Sequence, residues 1–420
     1  MSSIAATMDS IPGRLAKGVV PLIAVSVFIN YVDRGNFSTA APLIKDALRL
    51  DATQIGILTS AFFLAYAPGQ MLTAWFAERF NVYRVLAIGL AAWSLATALT
   101  GLASGFLALL ALRVLLGVGE SAAFPCSSKL LARHLRSHEL GVANGLIAVG
   151  MALGPAVGTF GGGQLIAQLG WRGSFVVFGL VSLLWLAPWL AVTRDAAALP
   201  PDHADAGTAP PYLEILKRRA AWGTALGQFC SNYAFYFVLS WLPLYLVKAR
   251  GLSMVEMPKL AGLVYLIYGA SALAVGWASD RAIRDGLSTN LVRKSMMISG
   301  HVGTAVCLTA CAFGDAKLSM IGLLGAGIFF GFGTPTLFAI GQTLAGPRAA
   351  GKWIGFQNCM ANLAGIVGPI VTGVVVDRTG QFVWAFAIAA GMSLLGVVGW
   401  GMMIEKVAPL QWGPASTRSV

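Results

Sequence analysis

The sequence predicts an all-α membrane protein of twelve transmembrane helices arranged as two pseudo-symmetric six-helix halves, and three observations carry that expectation. Charged residues make up 11% of the chain against 57% hydrophobic, with a mean hydropathy of +0.74, where a soluble domain carries about 25% charged residues. Apolar windows long enough to cross a bilayer recur at 17–44, 53–77, 82–103, 105–133, 139–168, 173–193, 219–248, 257–279, 293–313, 317–345, 350–376 and 381–404. The third observation is repetition on either side of a polar, proline-rich stretch. Trp75-Phe76-Ala77-Glu78-Arg79 after the second window matches Trp277-Ala278-Ser279-Asp280-Arg281 after the eighth, and Gly154-Pro155 in the fifth matches Gly368-Pro369 in the eleventh. A duplicated unit of this kind gives a first half over 1–193, a cytoplasmic linker over 194–218 and a second half over 219–420.

The first window runs on through Asp33-Arg34, unlike the short apolar region of a cleavable signal, and should stay as the first helix. The fourth carries Arg113 and Glu120 deep within it. Glycines in the fifth (Gly145, Gly150, Gly154, Gly158, Gly161-Gly162-Gly163) lie within an apolar helix, with no strand before them and no Lys-Ser/Thr after, so they imply close helix packing and not a phosphate loop. The ninth carries His301, read as a structural histidine on a peripheral helix. Trp171, Trp222, Trp384 and Trp400 near window ends read as interfacial anchors.

Net charge is +12 and the isoelectric point about 9.7, but the basic residues collect in short loops, which is a topology signal and not a nucleic-acid surface. Of the 29 Lys and Arg, 19 fall in the termini and even-numbered loops, 8 in the odd-numbered loops, and the other two are Arg34 and Arg113. Both termini are therefore expected in the cytoplasm. The five cysteines have no metal-ligand spacing and are odd in number, so neither a disulfide framework, a metal site nor a cofactor is expected.

Asp33 and Arg34 sit inside the first window and Arg113 and Glu120 inside the fourth. Each such charge costs about 2.5–3.5 kcal/mol at a helix centre, so these residues should face a cavity and pair with one another. Arg113 and Glu120, seven apart, share one helix face about 10 Å apart along the axis. A buried ion network that only fixes packing is the plain alternative, yet four charges are a costly way to achieve it. The functional reading gives Arg34 a carboxylate to hold in its planar donor fork and gives Asp33 and Glu120 protons to carry. An anion that draws Arg34 away from an acid couples its own binding to proton uptake.

The windows of the second half carry Asp, Glu, Lys or Arg only at their ends. They offer Asn232 and Tyr236 in the seventh, Tyr265 and Tyr268 in the eighth, Thr334 and Thr336 in the tenth, and Gln357, Asn358 and Asn362 in the eleventh. Amides and hydroxyls suit a hydroxylated molecule and rings suit its apolar face, while the same groups also serve as interhelical glue.

Asn30-Tyr31-x-Asp33-Arg34-x-Asn36-x-Ser38 in the first helix, Tyr66 in the second, and Arg113-x-x-x-Gly117-x-x-Glu120 followed by Phe124-Pro125 in the fourth make the chain resemble the major facilitator superfamily, and within it the anion:cation symporter branch of hexonate, hexuronate and glucarate transporters and sialin. The resemblance implies that Tyr31, Arg34 and Tyr66 face the substrate, that Asp33 and Glu120 are the proton-linked acids and that Arg113 is their partner. Two positions depart from the galactonate type: Met151 stands where a Gln is usual, and Leu337 or Phe338 where a Trp is. The expected protein is a monomeric inner-membrane importer that moves a sugar acid or related hydroxy-carboxylate with protons, with lipid and a small anion as partners and no nucleic acid. A multidrug antiporter would call for an acidic cavity without a central arginine, and an anion sensor for an attached signalling domain. No nucleophile–base set marks an enzyme.

Overall fold

The computed structural model describes residues 11–50, 52–198, 209–248 and 256–412. Among them the chain is helical, with α1 (Ile11–Ala47), α2 (Ala52–Arg79), α3 (Val82–Thr100), α4 (Phe106–Glu120), α5 (Ala123–His134), α6 (Leu140–Leu183), α7 (Leu186–Ala198), α8 (Tyr212–Leu216), α9 (Arg219–Lys248), α10 (Glu256–Arg284), α11 (Thr289–Phe313), α12 (Ala316–Asn362), α13 (Ala364–Thr379) and α14 (Val383–Val397), and a π-helical turn at Val398–Met402. Nine stretches of the described residues are long and apolar enough to cross a membrane. Two of them, Leu140–Ala196 and Ala316–Val376, run to 57 and 61 residues, where one crossing takes about 20. Each breaks at a glycine in the left-handed region, Gly170 (φ 69°, ψ 171°) and Gly346 (φ 64°, ψ 177°), where a side chain would be strained. Divided there, the nine stretches give eleven of membrane length among the described residues, and α9, which is not one of the nine, is 30 residues long. Of the expected linker, residues 199–208 lie outside the described residues.

The fourth window forms two helices, because α4 ends just after Glu120 and α5 starts at Ala123. The carbonyl freed at this break, Ser121 O, accepts from Thr73 Oγ1 of α2 at 2.9 Å. A membrane helix can break where a neighbouring hydroxyl takes over the backbone group. Close glycine packing sets the position of α1: a Cβ at Gly35 would meet Pro155 O at 2.7 Å, one at Gly150 would meet Ala24 O at 2.9 Å, and one at Gly154 would strike Tyr31. Gly145, Gly150, Gly154, Gly158 and Gly162 of the fifth window are thus packing residues, whereas a Cβ at Gly163 would meet nothing within 4 Å and one at Gly161 only ordinary contacts.

The segments before and after the linker meet toward the end of the bundle that holds the described terminal residues. Asp280 of α10 accepts from two backbone N–H groups in the first turn of α6, Gly141 at 2.9 Å and Val142 at 2.7 Å. That carboxylate caps a helix N-terminus across the two groups of helices. Arg293 of α11 holds Asp280 at 2.8 Å and donates to Ser137 O at 3.0 Å. Deeper in, Asn144 Nδ2 donates to Gln342 Oε1 at 2.7 Å, Gln342 Nε2 donates to Ser128 Oγ at 3.2 Å, and the rings of Phe124 and Phe338 stack at 5.2 Å. These contacts close one end of the central space.

Two of the four aromatic anchors differ from expectation. Trp222 and Trp384 are exposed, whereas Trp171 and Trp400 are buried. Trp400 Nε1 donates to Nε2 of His301 at 3.1 Å, and the other ring nitrogen lies 3.3 Å from Ser393 Oγ. An indole N–H only donates, so Nε2 is the acceptor and the ring is the neutral Nδ1–H tautomer. A periodicity argument had no access to this pairing between α11 and the turn after α14.

Candidate functional site

Arg34 is the centre of the site. Its Nη2 and Nε donate to Glu120 Oε2 at 3.1 and 3.3 Å. Three rings enclose the guanidinium, with Tyr31 at 4.6 Å, Tyr66 at 4.7 Å and Phe62 at 5.0 Å from its carbon. A flat delocalised cation is suited to such a cage, which attracts it through the ring faces and keeps its edge free. Phe62 and Tyr66, one turn apart on α2, stack on each other at 5.2 Å and form one wall. The hydroxyls of Tyr66 and of Tyr236, the latter from α9 beyond the linker, also reach toward Arg34. The side chain of Arg34 keeps 17% of its surface exposed, and Glu120 is fully buried with Oε1 unpaired.

The four membrane charges do not balance as two ion pairs. Arg113 lies 3.8 Å over the Phe37 ring and donates from Nε to Leu58 O at 3.2 Å, and it makes no ion pair among the described residues. Asp33 is 3% exposed and neither carboxylate oxygen has a hydrogen-bond partner. One pair, Arg34–Glu120, therefore carries the electrostatic link between α1 and α4.

Beyond the linker, Tyr236 donates to Asn362 Oδ1 at 3.0 Å, and Asn362 Nδ2 donates to the Asn358 carbonyl at 2.8 Å. Asn358 belongs to a chain of amides: its Oδ1 accepts from Gln228 at 2.5 Å, its Nδ2 donates to Gln70 of α2 at 2.9 Å, and Gln357 donates to Gln228 at 2.7 Å. Gln70 is a buried amide of the second window, and helical spacing alone gives no sign of its partner Asn358 on α12.

A cavity of about 50 Å³ adjoins this region, lined in part by Asn232, Tyr268, Thr334 and His301 with Met151, Phe235 and Leu337. The hydroxyls of Tyr268 and Thr334 are 2.8 Å apart, and Asn232 donates to Ala361 O at 3.3 Å. Tyr265 packs on Phe235 outside this cavity, and Thr336 is fully buried away from it with its hydroxyl unpaired. Met151, where the resemblance loses a Gln, and Leu337, one of the two residues where it loses a Trp, both line the cavity and make that wall apolar.

Residues 23–289 and 285–419 match the Major Facilitator Superfamily. The chain is 30% identical over 421 residues to a hexuronate transporter of Bacillus subtilis, covering 96% of this chain and 97% of the other. It is also 30% identical over 400 residues to a probable sulfoacetate transporter of Cupriavidus necator, covering 90% and 91%. The fucose:proton symporter of Escherichia coli has the same fold, with a TM-score of 0.73 at 16% identity over 93% of this chain and all of that one.

Proposed function

The chain belongs to the Major Facilitator Superfamily, in its anion:cation branch, and from that premise we propose that it imports an organic anion, a sugar acid or related hydroxy-carboxylate, together with protons by alternating access. Relatives named for hexuronate and sulfoacetate support an anionic cargo. The observation that carries the reading is the partly exposed guanidinium of Arg34, caged by rings and tied to one fully buried acid.

An arriving carboxylate competes with Glu120 for the donor edge of Arg34. As it binds, Glu120 loses its positive partner while a new negative charge arrives, and both changes favour uptake of a proton by the buried carboxyl. Anion and proton then enter together with no net gain of buried charge at the pair. Asp33 is the second acid and Arg113 sets the potential around both. The helices before the linker capture the anion and couple it to protons, and those after it set specificity through Asn232, Tyr236, Thr334 and Asn362. With both termini in the cytoplasm, the closed end is the cytoplasmic gate, and turnover consists of opening it while the opposite end shuts.

Calorimetry on the purified protein tests the anion site. Arg34→Ala is expected to abolish binding of the anion that wild type takes, and Arg34→Lys to weaken it by at least tenfold, because an ammonium lacks the fork. Wild-type affinity in Arg34→Ala would place the anion elsewhere.

A further inference from the structure

We infer that the cavity beside Asn232 and Thr334 receives the end of the cargo remote from its carboxylate, and that the cargo therefore carries one carboxylate only: hexonates and hexuronates fit, and the matching hexarates, acidic at both ends, do not. The inference rests on the proposed capture of the anion by Arg34 and narrows it.

The cavity and the Arg34 cage are neighbours. Met151 of the cavity wall lies one turn before Gly154 on α6, and a Cβ at Gly154 would strike Tyr31, a ring of the cage. Tyr268 of the same wall lies within electrostatic reach of Tyr31, and Tyr236, which reaches Arg34, follows the lining residue Phe235. An acid whose carboxylate rests on Arg34 has its far end beside this space.

A volume of about 50 Å³ admits a terminal hydroxymethyl group or a carboxylate, which are alike in size, so charge decides between them. Among the described residues no Asp, Glu, Lys or Arg lines the cavity, and its histidine, His301, accepts from Trp400 and is neutral. Arg34 already holds the first carboxylate, and Arg113 is covered by the Phe37 ring with its Nε on Leu58 O. A second carboxylate would be stripped of water with no cation to meet it.

What the wall offers is neutral. Asn232 spends its Nδ2 on Ala361 O, and its Oδ1 accepts from no described residue. Thr304 is buried in the wall and its hydroxyl makes no hydrogen bond among the described residues, whereas Thr39, Thr100 and Thr193 donate to the carbonyl four residues back. A hydroxyl of the cargo can donate to the amide oxygen and accept from Thr304, with Phe330 and Leu337 covering the carbon that bears it. A Cβ at Gly333 would meet nothing within 4 Å, so the space lies open along α12.

Calorimetry on the purified full chain tests this with gluconate, galactonate, glucuronate and galacturonate against glucarate and galactarate, and with three-carbon glycerate, which has little to place in the cavity. The best acid with one carboxylate is expected to bind at least about tenfold more tightly than either hexarate. Gly333→Leu fills the space at a position where glycine is a poor helix former, so the variant should fold, and Thr304→Val keeps the shape and removes the hydroxyl. Both should weaken the best six-carbon acid by about tenfold and leave glycerate as in wild type. A hexarate bound as tightly as the best hexonate or hexuronate, in a protein that loses both on Arg34→Ala, overturns the inference and leaves the anion site standing. Unchanged six-carbon affinity in both cavity variants overturns it too, by making the cavity a pocket for water alone. Binding of none of these acids would overturn the anion reading and this inference with it.

Discussion

Glu120 and Arg34 are the residues on which the proposed coupling turns, because each is the other's sole ionic partner among the described residues. Glu120→Gln keeps the shape and removes the charge, so the variant is expected to bind the anion and exchange it across a membrane while failing to accumulate it. Counterflow in proteoliposomes measures the first property and uptake driven by an imposed pH gradient measures the second. Accumulation at the wild-type level would leave Asp33 as the coupling acid. The Asn30-to-Ser38 stretch was legible in the sequence because charges inside an apolar run stand out against their insertion cost. The partner of each charge was not legible. Helical spacing puts Arg113 and Glu120 on one face, yet Arg113 turns to the ring of Phe37 and a carbonyl of α2, contacts that depend on how three helices pack.

At the scale of elements, α12 and α13 are placed by amides whose roles divide. Asn358 joins Gln70 to Gln228, so it ties helices across the closed end. Asn362 instead holds the hydroxyl of Tyr236, which reaches Arg34. Asn358→Ala leaves two buried amides short of a partner, at about 1–3 kcal/mol each, and is expected to lower the melting temperature with little change in the ranking of bound acids. Asn362→Ala frees Tyr236 and is expected to change that ranking in competition binding with a panel of hydroxy-carboxylates. An unchanged ranking in Asn362→Ala would reduce that amide to packing. Apolar windows foretold the membrane-length segments because a bilayer fixes their length. The breaks at Gly170 and Gly346 fall in the gaps between windows, at 168–173 and 345–350, although nothing in the sequence marks which residue there takes the left-handed backbone.

For the whole molecule, the closed end is held by the buried pair Asp280–Arg293 and the helix cap that Asp280 makes across the linker. Removing one partner of such a pair costs about 3–5 kcal/mol, because the other charge is left buried. Asp280→Asn is therefore expected to open that end more often, and Cys126 of α5, fully buried, should react faster with a maleimide than in wild type. Unchanged labelling at Cys126, located by mass spectrometry, would remove Asp280 from the gate. The repeated motifs at Glu78 and Asp280 marked a duplicated unit, and only the packing of α6 against α10 identifies what Asp280 caps. The central claim, that anion and proton cross together, is tested most directly by the proton itself. Proteoliposomes holding the wild-type protein and a pH-sensitive dye inside should acidify internally when a transported carboxylate is added outside, and Glu120→Gln vesicles should not; anion uptake by wild type with no change in internal pH would contradict it.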